Sequence, residues 1–108
     1  MAKYKYLVIT NAVAGKEAEF NDWYTQQHLS DVLKVPGFEA AQRFEVTGQS
    51  ALPGKYVAIY EMETDNPEAT LQDLHSRSNS PEMTLSDSLD IATTTVALLS
   101  PITDTVTS

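Results

Sequence analysis

Two spacings of apolar residues alternate along this chain, and their order leaves few ways to fold it. Lys3–Thr10 places Tyr4, Tyr6 and Val8 on one side and Leu7 and Ile9 on the other, a strand with both faces apolar. Asn11–Gly15 is small and turn-like. From Lys16 to about His28 the spacing becomes helical: Phe20, Trp23, Tyr24 and Gln27 fall on one narrow arc, with His28 at its edge. Leu29 and Leu33 then fall on the opposite side. This slip of phase predicts a break near Leu29-Ser30, with Ser30 capping a second short helix that buries Val32 and Leu33 and ends at Pro36-Gly37. Phe38–Val46 returns to strand alternation, with Ala40, Gln42, Phe44 and Val46 opposite Ala41, Arg43 and Glu45. Thr47–Lys55 reads as a loop, and Lys55–Thr64 as a third strand with Tyr56, Ala58, Tyr60 and Met62 against Val57 and Ile59. Asp65-Asn66-Pro67-Glu68 is a strong helix start, and the helix carries Leu71, Leu74 and His75 before fading at Ser78. Asn79–Asp90 is a polar loop, Ile91–Leu99 a fourth strand, and Pro101 onward a tail.

The order β-α-β-β-α-β predicts an α+β, ferredoxin-like fold: one domain over 1–108, a four-stranded antiparallel sheet and two helices on one face. Two helices cover one face only, yet strands one, three and four are apolar on both. A homodimer pairing the uncovered faces is the expected remedy, with residues 101–108 as an arm across the partner. The alternative, cover by loop 79–90, suits that polar stretch poorly. The 7 basic and 15 acidic residues leave a charge of -8. That balance argues against nucleic acid and anionic membrane surfaces as partners, since both reward basic side chains. The deficit lies in residues 56–108, where Arg77 faces nine acids, whereas residues 1–55 balance. With Cys 0, thiolate chemistry and thiolate-bound metals are excluded. No apolar run reaches the roughly 18 residues of a membrane span, so a cytoplasmic location is expected.

His28 is the leading candidate for chemistry, because imidazole is the side chain best poised for proton transfer near neutral pH. It lies one helical turn after Tyr24 and three residues before Asp31, so Asp31 can orient it and Tyr24 can face the same reacting group. The competing reading is that His28 caps the first helix. Trp23, Phe20, Tyr6, Tyr60 and Phe44 are candidates to line a pocket for a flat ligand, or else ordinary core. Arg43 can hold a carboxylate or phenolate, or pair with Glu39 or the neighbours of Glu45. His75 reads as marginal and part-exposed. No metal site is expected, since His28 and Asp31 supply at most two of the three ligands that catalytic zinc needs. No cofactor is expected either: haem ligation by His28 or His75 has no supporting motif, and the four glycines form no phosphate loop.

Phe20-Asn-Asp-Trp-Tyr-Thr-Gln-Gln-His28-Leu-Ser-Asp-Val-Leu, then Val35-Pro-Gly-Phe38 and Ala41-Gln-Arg-Phe44, resembles the EthD-like branch of the dimeric α/β-barrel superfamily. The shared pattern is an aromatic pair, a His about four residues on, a short helix, Pro-Gly, and an Arg on strand two. The proline usual after the His-Leu pair is Ser30 here. The resemblance implies homodimers whose sheets form a barrel, with a pocket between helices and sheet in each protomer. It also implies a range of activities: cofactor-free cyclases, isomerases, lyases, dehydratases and monooxygenases, besides haem-dependent oxidases. The expectation is a small cofactor-free enzyme performing His-mediated proton transfer (lyase, dehydratase, cyclase or isomerase) on a small aromatic or oxygenated substrate. The alternatives are a non-catalytic ligand-binding module and a cofactor-independent monooxygenase.

Overall fold

A computed structural model describes residues 2–108. In chain order it holds β1 (Ala2–Thr10), α1 (Glu17–Trp23), a π-helical turn (Tyr24–His28), α2 (Leu29–Leu33), β2 (Phe38–Glu45), β3 (Tyr56–Thr64), α3 (Pro67–Arg77), a 3-10 turn (Ile91–Thr93) and β4 (Thr95–Leu99). The strands form one antiparallel sheet in the order β2-β3-β1-β4, the ferredoxin-like arrangement.

Strand alternation sets which residues meet the helices. Tyr6 of β1 lies opposite Tyr60 of β3, and Ala41 of β2 lies on the other side of Tyr60. A bulge between Phe38 and Ala40 lets Phe38 and Ala41 both pack on the helix side. The core there is built from Tyr6, Phe38, Tyr56, Tyr60 and Met62 of the sheet against Phe20, Tyr24, Val32, Val35 and Leu74. At Gly37 the chain turns with φ 101, and a Cβ there would lie 2.9 Å from the Thr70 methyl, so only glycine suits this junction of β2 with α3. The expected start of α3 is present: Asn66 Oδ1 accepts from the Ala69 amide at 3.1 Å and Pro67 occupies the first turn.

The helical run from Glu17 to Leu33 departs from expectation. There is no break at Leu29-Ser30 and Ser30 caps nothing; Tyr24, His28 and Leu29 all keep helical angles. The slip of phase is absorbed by the wider π turn, which inserts about one residue and rotates the next part of the helix by about 100°. Val32 is buried as expected, but Leu33 is 37% exposed. β4 is also shorter than its β-branched sequence suggests. Residues Ile91–Thr93 turn instead, with the Thr94 hydroxyl donating to the Asp90 carbonyl at 3.1 Å and the Asp90 amide donating to the Asn11 carbonyl at 3.0 Å.

Residues 79–90 pack on the helix side, where Met83 enters the core and Thr84 meets Trp23. The other face carries Leu7, Ile9, Val57, Ile59, Phe44 and Leu99. The Gly54 loop packs on Ile9, which is 5% exposed, while Leu7, Val57 and Ile59 are half-buried and Phe44 and Leu99 are each 43% exposed. Among the described residues no helix is long and apolar enough to cross a membrane.

Candidate active site

The α1–π–α2 run lays a row of aromatic side chains over the tyrosines of the sheet. Phe20 sits edge-on to Tyr24, ring centroids 5.6 Å apart, and tilts over Tyr56 at 5.3 Å. The Tyr24 and Tyr60 hydroxyls lie 2.9 Å apart, joining helix to sheet at the centre of the core. Burial pushes the Tyr24 phenol up to about 12, against the opposing effects of the Tyr60 hydrogen bond and the Arg43 charge. Burial, and then Tyr24 itself, push Tyr60 higher still. Both phenols are therefore neutral O–H groups at physiological pH. Their mutual hydrogen bond uses one proton, so the second remains available to a ligand oxygen.

His28 closes the row. Its ring stacks on Trp23 at 4.7 Å and 26°, and meets Tyr24 edge-on at 4.7 Å. The Trp23 contact spans five residues, a reach that the π turn supplies. Nδ1 of His28 is enclosed and has no hydrogen-bond partner. Burial lowers the His28 pKa to about 4; Asp31 opposes this and Arg43 adds to it. The imidazole is therefore neutral at pH 7, with an unsatisfied polar atom that costs about 1–3 kcal/mol.

Asp31 is buried beside His28 but is not bonded to it. Its carboxylate accepts from Gln27 Nε2 at 3.5 Å and lies 3.7 Å from Lys34 Nζ. The reason is directional. Helical side chains lean toward the N-terminus, so Asp31 reaches Gln27 four residues back, while His28 reaches Tyr24. Asp31 thus acts on the ring as a nearby charge. Gln27, Asp31, Lys34, Arg77, Pro81 and Glu82 enclose a polar cleft of about 310 Å³ beside this turn.

Arg43 points from β2 into the helix layer. Nη1 donates to the Thr25 hydroxyl at 2.8 Å and the Asn21 carbonyl at 3.3 Å, and Nη2 donates to Asn21 Oδ1 at 2.8 Å. Its guanidinium lies 4.6 Å from the centre of the Tyr24 ring. It clamps α1 to β2 and pairs with neither Glu39 nor the surroundings of Glu45, whose carboxylate lies 3.7 Å from Lys55 Nζ. Phe44 is on the open sheet face, away from this cluster, because strand alternation sets it opposite Arg43. Tyr6 joins through Tyr60 at 6.5 Å. His75 is exposed on α3. Among the described residues no group of three or more His, Asp or Glu is arranged to hold a metal.

Three participants carry no clear mark in the sequence pattern: Asn21 and Thr25, which hold Arg43, and Met83. Only Met83 offers a signal, as a large apolar residue in the polar stretch 79–90.

No protein-family profile matches the sequence, and no curated protein matches it. Solved structures do match in shape. A candidate monooxygenase from Shewanella loihica aligns at TM-score 0.62 with 15% identity, over 95% of this chain and 97% of that one. The chain shares the ferredoxin-like fold of these structures. The haem degrader MhuD from Mycobacterium tuberculosis, solved with two haems in its active site, aligns at TM-score 0.59 with 15% identity, over 94% and 98%. An EthD family protein from Bacillus halodurans aligns at TM-score 0.50 with 13% identity, over 93% and 99%. The resemblance to EthD-like proteins thus stands at the level of fold.

Proposed function

We propose that the protein is a cofactor-independent oxygenase of a small, flat, oxygenated aromatic substrate, with His28, Trp23, Tyr24 and Tyr60 at its reaction centre. The observation that carries this reading is the neutral imidazole whose enclosed Nδ1 lacks a partner, set between two aromatic rings beside a pair of protonated phenols. The monooxygenase and the haem degrader of the same fold add support for oxidative chemistry over the lyase or isomerase chemistry expected from sequence.

In this reading a substrate hydroxyl or activated methylene is presented to the His28 nitrogen, and the anion left when the proton moves stabilises the imidazolium it faces. Proton transfer leaves an electron-rich enolate or phenolate. The free phenol proton of the Tyr24–Tyr60 pair stabilises its oxygen. Dioxygen then takes electrons from that anion. An activated methylene becomes a carbonyl: the carbon loses two hydrogens and gains one oxygen atom, and the second oxygen atom leaves with both hydrogens as water. No external reductant is needed.

Haem does not fit these residues. The His28 ring is fixed on both sides at 4.7 Å with its Nδ1 enclosed, and the Tyr24–Tyr60 contact spans the space between helix and sheet. No step is routed through it. The working form is a homodimer paired through the open sheet face, where exposed Phe44 and Leu99 surround Leu7, Val57 and Ile59. The depressed His28 pKa favours one rival, a binding module in which the imidazole only hydrogen-bonds its ligand.

Oxygen uptake separates the two. Across a panel of hydroxylated polycyclic aromatics bearing an activated methylene, one compound should consume one dioxygen per turnover, and His28→Ala should lower the rate at least about a hundredfold. Saturable binding without uptake, or equal rates in His28→Ala, overturns the oxygenase.

A further inference from the structure

Trp23 and His28 are each only half-buried, and the segment that meets their outer side is a single loop. Pro81 and Glu82 face Gln27 and Asp31 across the polar cleft, while the Trp23 indole Nε1 donates to the Thr84 carbonyl at 3.3 Å. Met83, between them, descends into the core with 1% of its surface exposed. Little regular structure holds this loop in place. The Asn79 amide donates to the Met83 carbonyl at 2.8 Å and the Met83 amide to the Ser80 carbonyl at 3.0 Å, both within the loop. Asn79 itself turns with φ 60, a left-handed conformation unusual outside glycine. Trp23 in turn stacks on His28, whose enclosed Nδ1 has no hydrogen-bond partner, so the closed arrangement leaves a polar group unsatisfied.

We propose that residues 79–85 form a lid whose Met83 side chain is a plug, occupying the place of the flat apolar body of the substrate until the loop lifts. This rests on the reaction centre assigned to His28 and the phenol pair, and adds how it is entered. Residues 79–85 are drawn from the low-stability end of the molecule, because apart from the Trp23 indole bond their hydrogen bonds stay between residues 77 and 83. Residues 86–90, by contrast, are held by the Val13 amide on the Ser88 carbonyl and the Asp90 amide on the Asn11 carbonyl, and β1 and β3 are paired along their whole length. Met suits a plug that leaves and returns, being unbranched and tolerant of irregular surroundings. The space the plug vacates sets the ligand class: a planar, mostly apolar molecule carrying one hydroxyl or carbonyl to meet His28 or the phenol pair.

The chain has one tryptophan, so the indole N–H of Trp23 gives one resonance and one emission to follow. In the unaltered protein, hydrogen exchange at that indole and at the Asn79 and Met83 amides should run at one common rate, at least about a hundredfold faster than the central β1–β3 amides. Exchange as slow as β1–β3 means the loop opens only by global unfolding and overturns the lid. Naphthol, added as a planar probe and followed through Trp23 emission, should bind at least about tenfold faster to Met83→Ala, with the unaltered rate retained in Met83→Leu. Equal association rates in all three overturn the plug. Should Met83→Ala fail to fold, exchange in the unaltered protein decides alone. None of these readouts involves oxygen, so a lid that opens and admits naphthol in a protein that consumes no dioxygen defeats the oxygenase and leaves the lid standing.

Discussion

The two faces of the sheet come from the same strands and end in opposite conditions. On the helix side, Tyr6, Tyr56 and Tyr60 are each at most 7% exposed and meet aromatic partners, and the two phenols most enclosed satisfy each other. On the other side, Leu7, Val57 and Ile59 are only half-buried and lie beside a 43% exposed Phe44. Cross-strand pairs of Lys3 with Glu63 and Lys5 with Glu61 mark one end of that face. The covered face uses residues that carry both apolar area and a hydrogen-bonding tip, which suits a reaction centre. The open face is aliphatic with charged margins, which suits a contact between copies.

The largest test of this contrast removes one ring from each side. Phe20→Ala, in the covered layer at 0% exposure, should lower unfolding free energy by about 3–5 kcal/mol in urea denaturation, while Phe44→Ala should change it by less than about 1 kcal/mol at concentrations where the chain is monomeric. Comparable losses at both would mean the open face is not a solvent face.

Acid sharpens the contrast, because His28 belongs to the covered side alone. Its folded pKa of about 4 lies below the unfolded 6.5, so between these values the unfolded chain binds the extra proton. The stability of the neutral form is fully present above about pH 6.5 and is lost as the pH falls toward 4, by about 3 kcal/mol. Urea midpoints across that window should show the loss, and His28→Phe should flatten it; an unchanged slope would place the ring in water.

A smaller effect comes from charging the open face. Phe44→Glu should weaken self-association at least about tenfold, roughly 1.4 kcal/mol, in sedimentation equilibrium, with near-UV dichroism of the aromatic core unchanged. A chain monomeric before the change removes the dimer from the proposal.

Much of the fold is legible in the sequence because strand alternation and capping are local. The two apolar faces of Lys3–Thr10 and the Asn66-Pro67 helix start depend on neighbours within a few residues, and both are present as read. The candidate site is legible in part. The row Phe20, Trp23, Tyr24, His28 follows from helical spacing, but its phase slip reads as a break, because apolar positions do not distinguish an interrupted helix from one with a residue inserted. Asp31 as a partner for His28 fails for a related reason: spacing places two residues on one face, whereas side-chain direction decides which neighbour each reaches. Arg43 cannot be matched to Asn21 and Thr25 from sequence, since they lie on a different element and no pattern links them.

The sequence by itself determined the order of elements, the sidedness of each strand and the excess of apolar surface over what two helices can cover, since these follow from periods of two and 3.6 residues acting along the chain. Only the tertiary structure decided that the helix carries a π turn, that His28 stands between Trp23 and Tyr24 with its Nδ1 enclosed, and that Met83 enters the core. The physical reason is that desolvation and packing depend on what arrives from distant parts of the chain. A loop some sixty residues away supplies the Thr84 carbonyl over Trp23, and no local pattern records it.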